Sequence, residues 1–216
     1  MFIIFLNIDA KPLKLIIKVF FTCYLFSFSS TSSAYDVGSR ILATGGVTQI
    51  EGSAGSGIVP WAVLSGYGQK GEWGGDVFGT YANTDDYDLS VIGANVAIDN
   101  RVELSVATQI LGIDAIARPL GLPDNELKQF VAGVKVRLFG DLIYTMLPQV
   151  SFGIQYKKNT DFDVPALTGA KDDHGVDFYL AATKLWLSGI NGYPVLLNTV
   201  VRSTKANQLG LLGFGE

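Results

Sequence analysis

The side chains best suited to chemistry are Arg101, Glu103, Lys135, Arg137 and Lys157, joined by Gln149 and Gln155. They recur at every second position of otherwise apolar runs, and that spacing places them on one face of a β-strand. Facing the lumen of a barrel, such residues form a charge network or line a channel. Small barrels are normally filled by side chains, which favours the network over an open pore. Motifs for covalent or metal chemistry are lacking: there is no Gly-x-Ser-x-Gly, His-Glu-x-x-His or Cys–His pairing. The single histidine, His174, follows Asp172 and Asp173 in a glycine-flanked stretch, which reads as a solvated loop. The acidic run Asn83–Asp88 lacks the spacing and closing Glu of a calcium loop. No catalytic residue, metal or cofactor is expected.

The elements that must carry these residues are strands. Asp88–Leu111 reads as a hairpin about a two-residue turn at Asp99-Asn100, with Val96 opposite Glu103 and Gly93 opposite Val106. One face then collects Leu89, Val91, Gly93, Asn95, Ala97, Leu104, Val106 and Thr108, and Asn95 is the residue least at home there. Residues 129–139 set Phe130 and Val134 against Lys135 and Arg137. Residues 148–157 set Phe152 and Ile154 against Gln149, Gln155 and Lys157. Further strands are expected over 58–67, 76–82, 176–187 and 194–202, and another begins at 209–214. A blurred alternation at Lys184-Leu185-Trp186 suggests a bulge, and Asn191-Gly192 is a tight-turn signal. Runs of about ten residues suit a tilted strand crossing a bilayer. Connections alternate between shorter and longer, as outer-membrane barrels do. That ordering puts the Asp99-Asn100 end on the periplasmic side. The stretch Gly52–Gly57 lacks the Lys-Ser/Thr of a phosphate loop, so its glycines imply tight turns or close backbone approach. Trp61, Trp73 and Trp186, with Tyr67, Tyr156 and Tyr179, suit either interfacial girdles or a core.

Composition narrows the compartment. Hydrophobic residues are 48% of the chain and charged ones 17%, too apolar for disorder. No run past residue 34 reaches the ~20 apolar residues of a membrane helix. Lys11, Lys14 and Lys18, the apolar stretch from Val19 to Phe28, and Ser32-Ser33-Ala34 follow the order of a secretory signal cleaved after Ala34. Lys18 breaks the run below spanning length, which disfavours a retained anchor. Cys23, the one cysteine, lies inside this signal, so the mature chain carries no disulfide. Cleavage leaves 13 basic and 19 acidic residues without a basic stripe, which argues against nucleic acid as a partner.

Several segments carry a family resemblance: ILATGGVTQIEGSAGSGIVPWAVLSGYG, KVRLFGD, LPQVSFGIQYKKN, DDHGVDFYLAATKLWL and RSTKANQLGLLGFG. They resemble domain-of-unknown-function family 3034 of Gram-negative bacteria over nearly the whole mature region. The family has no established activity, so the resemblance implies no catalytic residue. It implies further strands beyond the equivalent of GLLGFG, hence a C-terminally truncated copy.

The expected architecture is all-β: an antiparallel up-and-down β-barrel of outer-membrane type, incomplete at its C-terminus. Residues 1–34 form the signal peptide and 35–216 a single barrel domain with a Gly-rich lead-in over 35–57. Arg101, Glu103, Lys135, Arg137 and Lys157 are the expected lumen charges. Leu104, Val106, Phe130, Val134, Phe152 and Ile154 are expected to face lipid. The expected role is structural or that of a small-solute channel, with outer-membrane lipid and the barrel-assembly machinery as partners. The alternative is a soluble periplasmic β-barrel or sandwich binding a small apolar ligand, in which the two faces exchange.

Overall fold

A computed structural model describes residues 40–41, 48–67, 70–121 and 125–215. The expected signal peptide, Cys23 and the cleavage site lie outside the described residues. Seven long strands dominate: β4 (Trp73–Asn83), β5 (Asp88–Ile98), β6 (Val102–Gly112), β7 (Glu126–Phe139), β8 (Gln149–Asn159), β9 (His174–Ile190) and β10 (Tyr193–Ser203). They pair in chain order as an antiparallel up-and-down meander, curled into an open half-barrel. A two-residue strand β1 (Arg40–Ile41) runs parallel to Gly74–Gly75 of β4. A small pair, β2 (Gly55–Ser56) and β3 (Val59–Pro60), stands apart from the large sheet.

Turn chemistry sets the registers. Asn191 and Gly192 take positive φ of 52° and 82°, which a tight two-residue hairpin requires. Asp99 and Asn100 do the same at 56° and 48°, but the loop they make contains one residue more than the sequence reading allows. Arg101 is inserted: its N–H closes the turn on Ile98, and its carbonyl accepts the N–H of Arg137 from β7. Val102, not Arg101, therefore faces Ile98, Val96 faces Leu104, and Gly93 faces Ala107. A one-residue slip exchanges the faces of a strand. Leu89, Val91, Gly93, Asn95 and Ala97 consequently share the face of Glu103, not that of Leu104.

Other expectations are corrected too. Residues 58–67 do not form a strand of the sheet; beyond β3 they run irregularly and end in a 3-10 turn, Ser65–Tyr67. Residues 209–214 form no new strand either; a 3-10 turn (Asn207–Gly210) leads to an isolated bridge at Phe214. β4 is longer than expected, and the 112–128 connection holds a short helix α1 (Asp114–Leu120). A second, α2 (Asp163–Leu167), sits in the next long connection. Near these helices Ile113, Ala117, Leu127, Val164 and Leu211 form an apolar cluster at that end of the half-barrel. The blur at 184–186 precedes a shift in pairing, between Val195↔Trp186 and Tyr193↔Ile190.

One glycine shows how tightly the inner face is filled. Gly153 lies directly across from Tyr179, and a Cβ on it would stand 2.1 Å from the tyrosine Cζ. The Tyr179 ring, almost wholly buried, thus occupies the space the missing side chain leaves. Gly153→Ala is expected to destabilise the fold by about 1–3 kcal/mol, the usual cost of overpacking. In a Tyr179→Ala background the same substitution costs little. Urea unfolding followed by tryptophan fluorescence on the four proteins of that cycle measures both effects.

Candidate functional site

The strand wall buries many polar side chains and exposes many large apolar ones. Within the half-barrel runs the irregular segment from Thr48 to Gly66, whose backbone has few regular partners of its own. Side chains of the wall supply the rest. Asn95 Nδ2 donates to the carbonyl of Gly52 at 2.9 Å, and Gln109 Nε2 to that of Ile50 at 2.9 Å. The Ala62 N–H donates to Thr183 Oγ1 at 2.7 Å, while its carbonyl accepts from both Gln149 Nε2 and Ser151 Oγ. Asn198 Nδ2 donates to Pro60 O at 3.2 Å. Strands β5, β6, β8, β9 and β10 all take part in these contacts.

Gly52 lets the segment lie against the wall. Its φ is +99°, and an added Cβ would come within 3.2 Å of the Val106 backbone. The glycine-rich run is therefore a close-approach device, as its failure to match a phosphate loop implies.

Two ion-pair clusters fasten the segment. In the first, Glu103 and Lys135 stand directly opposite on β6 and β7, 3.0 Å apart, and neither is more than 1% exposed. Lys135 Nζ also donates to Ala54 O at 3.0 Å and Trp61 O at 3.3 Å, so all three of its protons have acceptors. Glu103 accepts the Ala54 N–H at 3.0 Å on one oxygen and the Ser65 N–H at 2.8 Å on the other. In the second cluster, Lys157 Nζ contacts Glu51, Asp177 at 2.8 Å and the Leu209 carbonyl at 3.0 Å. Arg202 grips Glu51 with two parallel hydrogen bonds of 3.0 and 2.6 Å, the bidentate form that holds a carboxylate most firmly. Thr204 Oγ1 donates to the remaining oxygen of Asp177. The Arg202 guanidinium also lies over the Tyr179 ring, 5.8 Å from its centroid.

Among the expected charges, Glu103, Lys135 and Lys157 thus lie buried on the inner face, in two separate clusters. Arg101 does not join them, because it is the inserted residue of the β5–β6 turn and is exposed. Arg137 sits at the end of β7, bound to the Gly140 carbonyl at 2.7 Å and 3.5 Å from Asp141. Asn95 is an inner-face residue holding Gly52, which corrects its placement on the apolar face. Gln149 serves Ala62, and Gln155 is fully buried with neither amide atom hydrogen-bonded. Leu104, Val106, Phe130, Val134, Phe152 and Ile154 all point outward, 37–46% exposed.

Glu51, Asp177 and Arg202 escaped the sequence reading. Glu51 is the lone charge between Ile41 and Gly57, and Asp177 and Arg202 interrupt apolar strands; each is a visible signal. The aromatic residues divide: Trp73, Trp186 and Tyr156 lie outward, whereas Tyr179 is an interior residue and Trp61 is half-buried inside. The side chain of Tyr67 lies outside the described residues. His174 is exposed and pairs with its neighbour Asp173 at 2.7 Å. Among the described residues no three His, Cys, Asp or Glu side chains are grouped to hold a metal.

The family described as "Protein of unknown function (DUF3034)" matches residues 44–216. The chain belongs to that family. No curated protein and no solved structure matches it. In this DUF3034 chain, then, a role must be argued from the arrangement itself: an inner segment locked to a strand wall by buried ion pairs.

Removing one partner of such a pair is costly because the other is left charged and dry. Lys135→Met is expected to destabilise the protein by about 3–5 kcal/mol and to open residues 54–66 to protease. Adding Glu103→Gln recovers part of the loss. Chemical denaturation and limited proteolysis of the single and double variants test this; unchanged midpoints would remove the anchoring role.

A pH effect arises in the β7–β8 connection. The backbone N–H groups of Tyr144 and Ile143, each 2.8 Å from Asp141 Oδ1, hold the Asp141 carboxyl below its usual range. A depressed folded-state pKa stabilises fully above the unfolded value of about 4 and is lost as pH falls through the folded value. Asp141→Asn is therefore expected to lose stability relative to the parent at neutral pH, with the gap closing only below about pH 4. Thermal unfolding of both proteins across pH 7 to 2 measures it.

Proposed function

We propose that this protein is an outer-membrane β-barrel component with an occluded interior, serving as a wall or structural element rather than an open channel. The observation that carries the reading is the inversion of its faces. Glu103, Lys135 and Lys157 are buried inside, whereas Leu104, Val106, Phe130, Val134, Phe152 and Ile154 are exposed outside. In water an outward face of this composition would be an unusually large apolar patch. In hydrocarbon it is the expected surface. Phe152 and Phe178 stack on that face with centroids 6.4 Å apart. Trp73, Phe139, Trp186 and Tyr193 are exposed toward the Asp99 end, and Tyr81, Tyr87 and Tyr156 toward the other, as interfacial girdles would be.

The inner segment and its two ion-pair clusters occupy the space a pore would need, which favours a filled interior over conduction. The tight turns at 99–101 and 191–192 share one end, and the longer connections 113–125 and 160–173 share the other. By the rule for outer-membrane barrels the former end faces the periplasm. Export, insertion by the barrel-assembly machinery and contact with outer-membrane lipid follow from the same reading. The soluble alternative, a periplasmic barrel or sandwich binding a small apolar ligand, calls for an apolar inside and a polar outside.

Cell fractionation with gel mobility before and after boiling tests the proposal. The protein is expected in the outer-membrane fraction, with a heat-dependent mobility shift and no conductance steps in planar bilayers. Recovery in the periplasmic supernatant without a shift would sink it.

A further inference from the structure

The interior is not polar throughout. At the Asp99 end a cavity of about 360 Å³ lies between the inner segment, the β7–β8 connection and strands β9 and β10. Its apolar wall is made by Trp61, Val63 and Leu64 of the segment, Ile143 of the connection, and Leu185 and Leu196, which pair directly across β9 and β10. This size falls at the lower end of the ~300–1,000 Å³ typical of ligand pockets. Asp76 also reaches the wall and already has an interaction of its own. Ser65 differs. It is 4% exposed and its Oγ has no hydrogen-bond partner, while Glu103 holds only its backbone N–H. Leaving a buried donor without an acceptor is costly, so a hydroxyl in this position calls for an oxygen that the apolar wall does not contain.

We propose that this cavity binds an acyl chain, whose carbonyl oxygen accepts a hydrogen bond from Ser65 Oγ–H. The aliphatic and aromatic wall takes the methylenes, which gain by leaving water whatever group lies beyond the carbonyl. The carbonyl end has only to accept, and an acceptor is what the Ser65 hydroxyl proton lacks. An ester-linked chain of a phospholipid and a free fatty acid both present that oxygen. Their shared chemistry, an apolar chain ending in an acyl oxygen, is what the site recognises. The cavity lies on the inner side of the wall, so the site does not depend on what surrounds the outward face.

The test uses the full chain with Trp73→Phe and Trp186→Phe, which leaves Trp61 as the single tryptophan. Bromine on an acyl chain quenches indole fluorescence only near contact. Two probes separate the sources: brominated phosphatidylcholine as the lipid of a nanodisc, and brominated stearate added to the protein in plain nanodiscs or in buffer. Trp61 is expected to be quenched. Val63→Phe, which fills the cavity, should abolish that quenching. Ser65→Ala, a lighter change, should raise the amount of probe needed for half-quenching roughly two- to tenfold, as loss of one hydrogen bond does. Quenching by the lipid alone assigns the chain to a phospholipid ester, and quenching by stearate alone assigns it to a free fatty acid; either upholds the site. A water-soluble protein still quenched by stearate would remove the membrane reading and keep this one. No quenching by either probe, or quenching that either variant leaves unchanged, would overturn the proposal.

Discussion

An irregular chain segment threaded along the inside of a sheet satisfies only part of its own backbone, and much of the interior follows from that constraint. Within residues 48–66 the Ile50 N–H donates to Gly57 O and the Trp61 N–H to Ala54 O, and Ser56–Val59 are exposed, but the buried remainder has little ladder to join. The wall answers with side chains. Ala62 alone engages Thr183, Gln149 and Ser151, and Gly52 and Ile50 are met by Asn95 and Gln109. Amides and hydroxyls stand where an apolar core would place Val, Ile and Leu. The inner face is polar because its content is backbone.

The same logic sets the buried charges. A lysine ammonium in a dry interior is costly unless every proton finds an acceptor. Lys135 finds a carboxylate and two carbonyls; Lys157 finds two carboxylates and a carbonyl. Each shell draws on both the wall and the chain packed against it, and Asp177 Oδ2, 2.8 Å from Lys157 Nζ, meets it as an ion pair without a hydrogen bond. Pairs of this kind contribute little net stability compared with apolar packing, but they penalise every arrangement in which the segment is misplaced. Glu103, bound to Ala54 and Ser65 through separate oxygens, fixes position along the segment in a way a leucine could not.

Legibility in the sequence tracks how local each determinant is. The faces of β7 and β8 could be read because strict alternation is a property of a few consecutive residues, so Lys135 and Lys157 fall opposite Val134 and Ile154 without knowledge of neighbours. The β5 faces could not, because Arg101 is counted as strand or loop according to a hydrogen bond from Arg137 in β7. One residue there moved Asn95 from outside to inside. Residues 58–64 have strand-like composition yet join no large sheet; what holds them inside is Thr183, Gln149 and Lys135, more than seventy positions away. Arg202 and Glu51, 151 residues apart, make a pairing no local pattern announces.

Seven antiparallel strands have a further geometric consequence. Because the count is odd, β4 and β10 run in the same direction, so the open parts of these edges, beyond Gly74–Gly75 of β4 where β1 pairs, could meet each other only as a parallel pair. A strand running the opposite way would pair antiparallel with both. In water, open edges are tolerable when backbone groups reach solvent; in hydrocarbon each unmet N–H and C=O costs several kcal/mol. On the proposed membrane reading, lipid around the outward face is tolerated only with the seam occupied. Membrane placement and closure of the β4–β10 seam therefore stand together: a wall with this exterior is stable in a bilayer to the extent that both edges have partners.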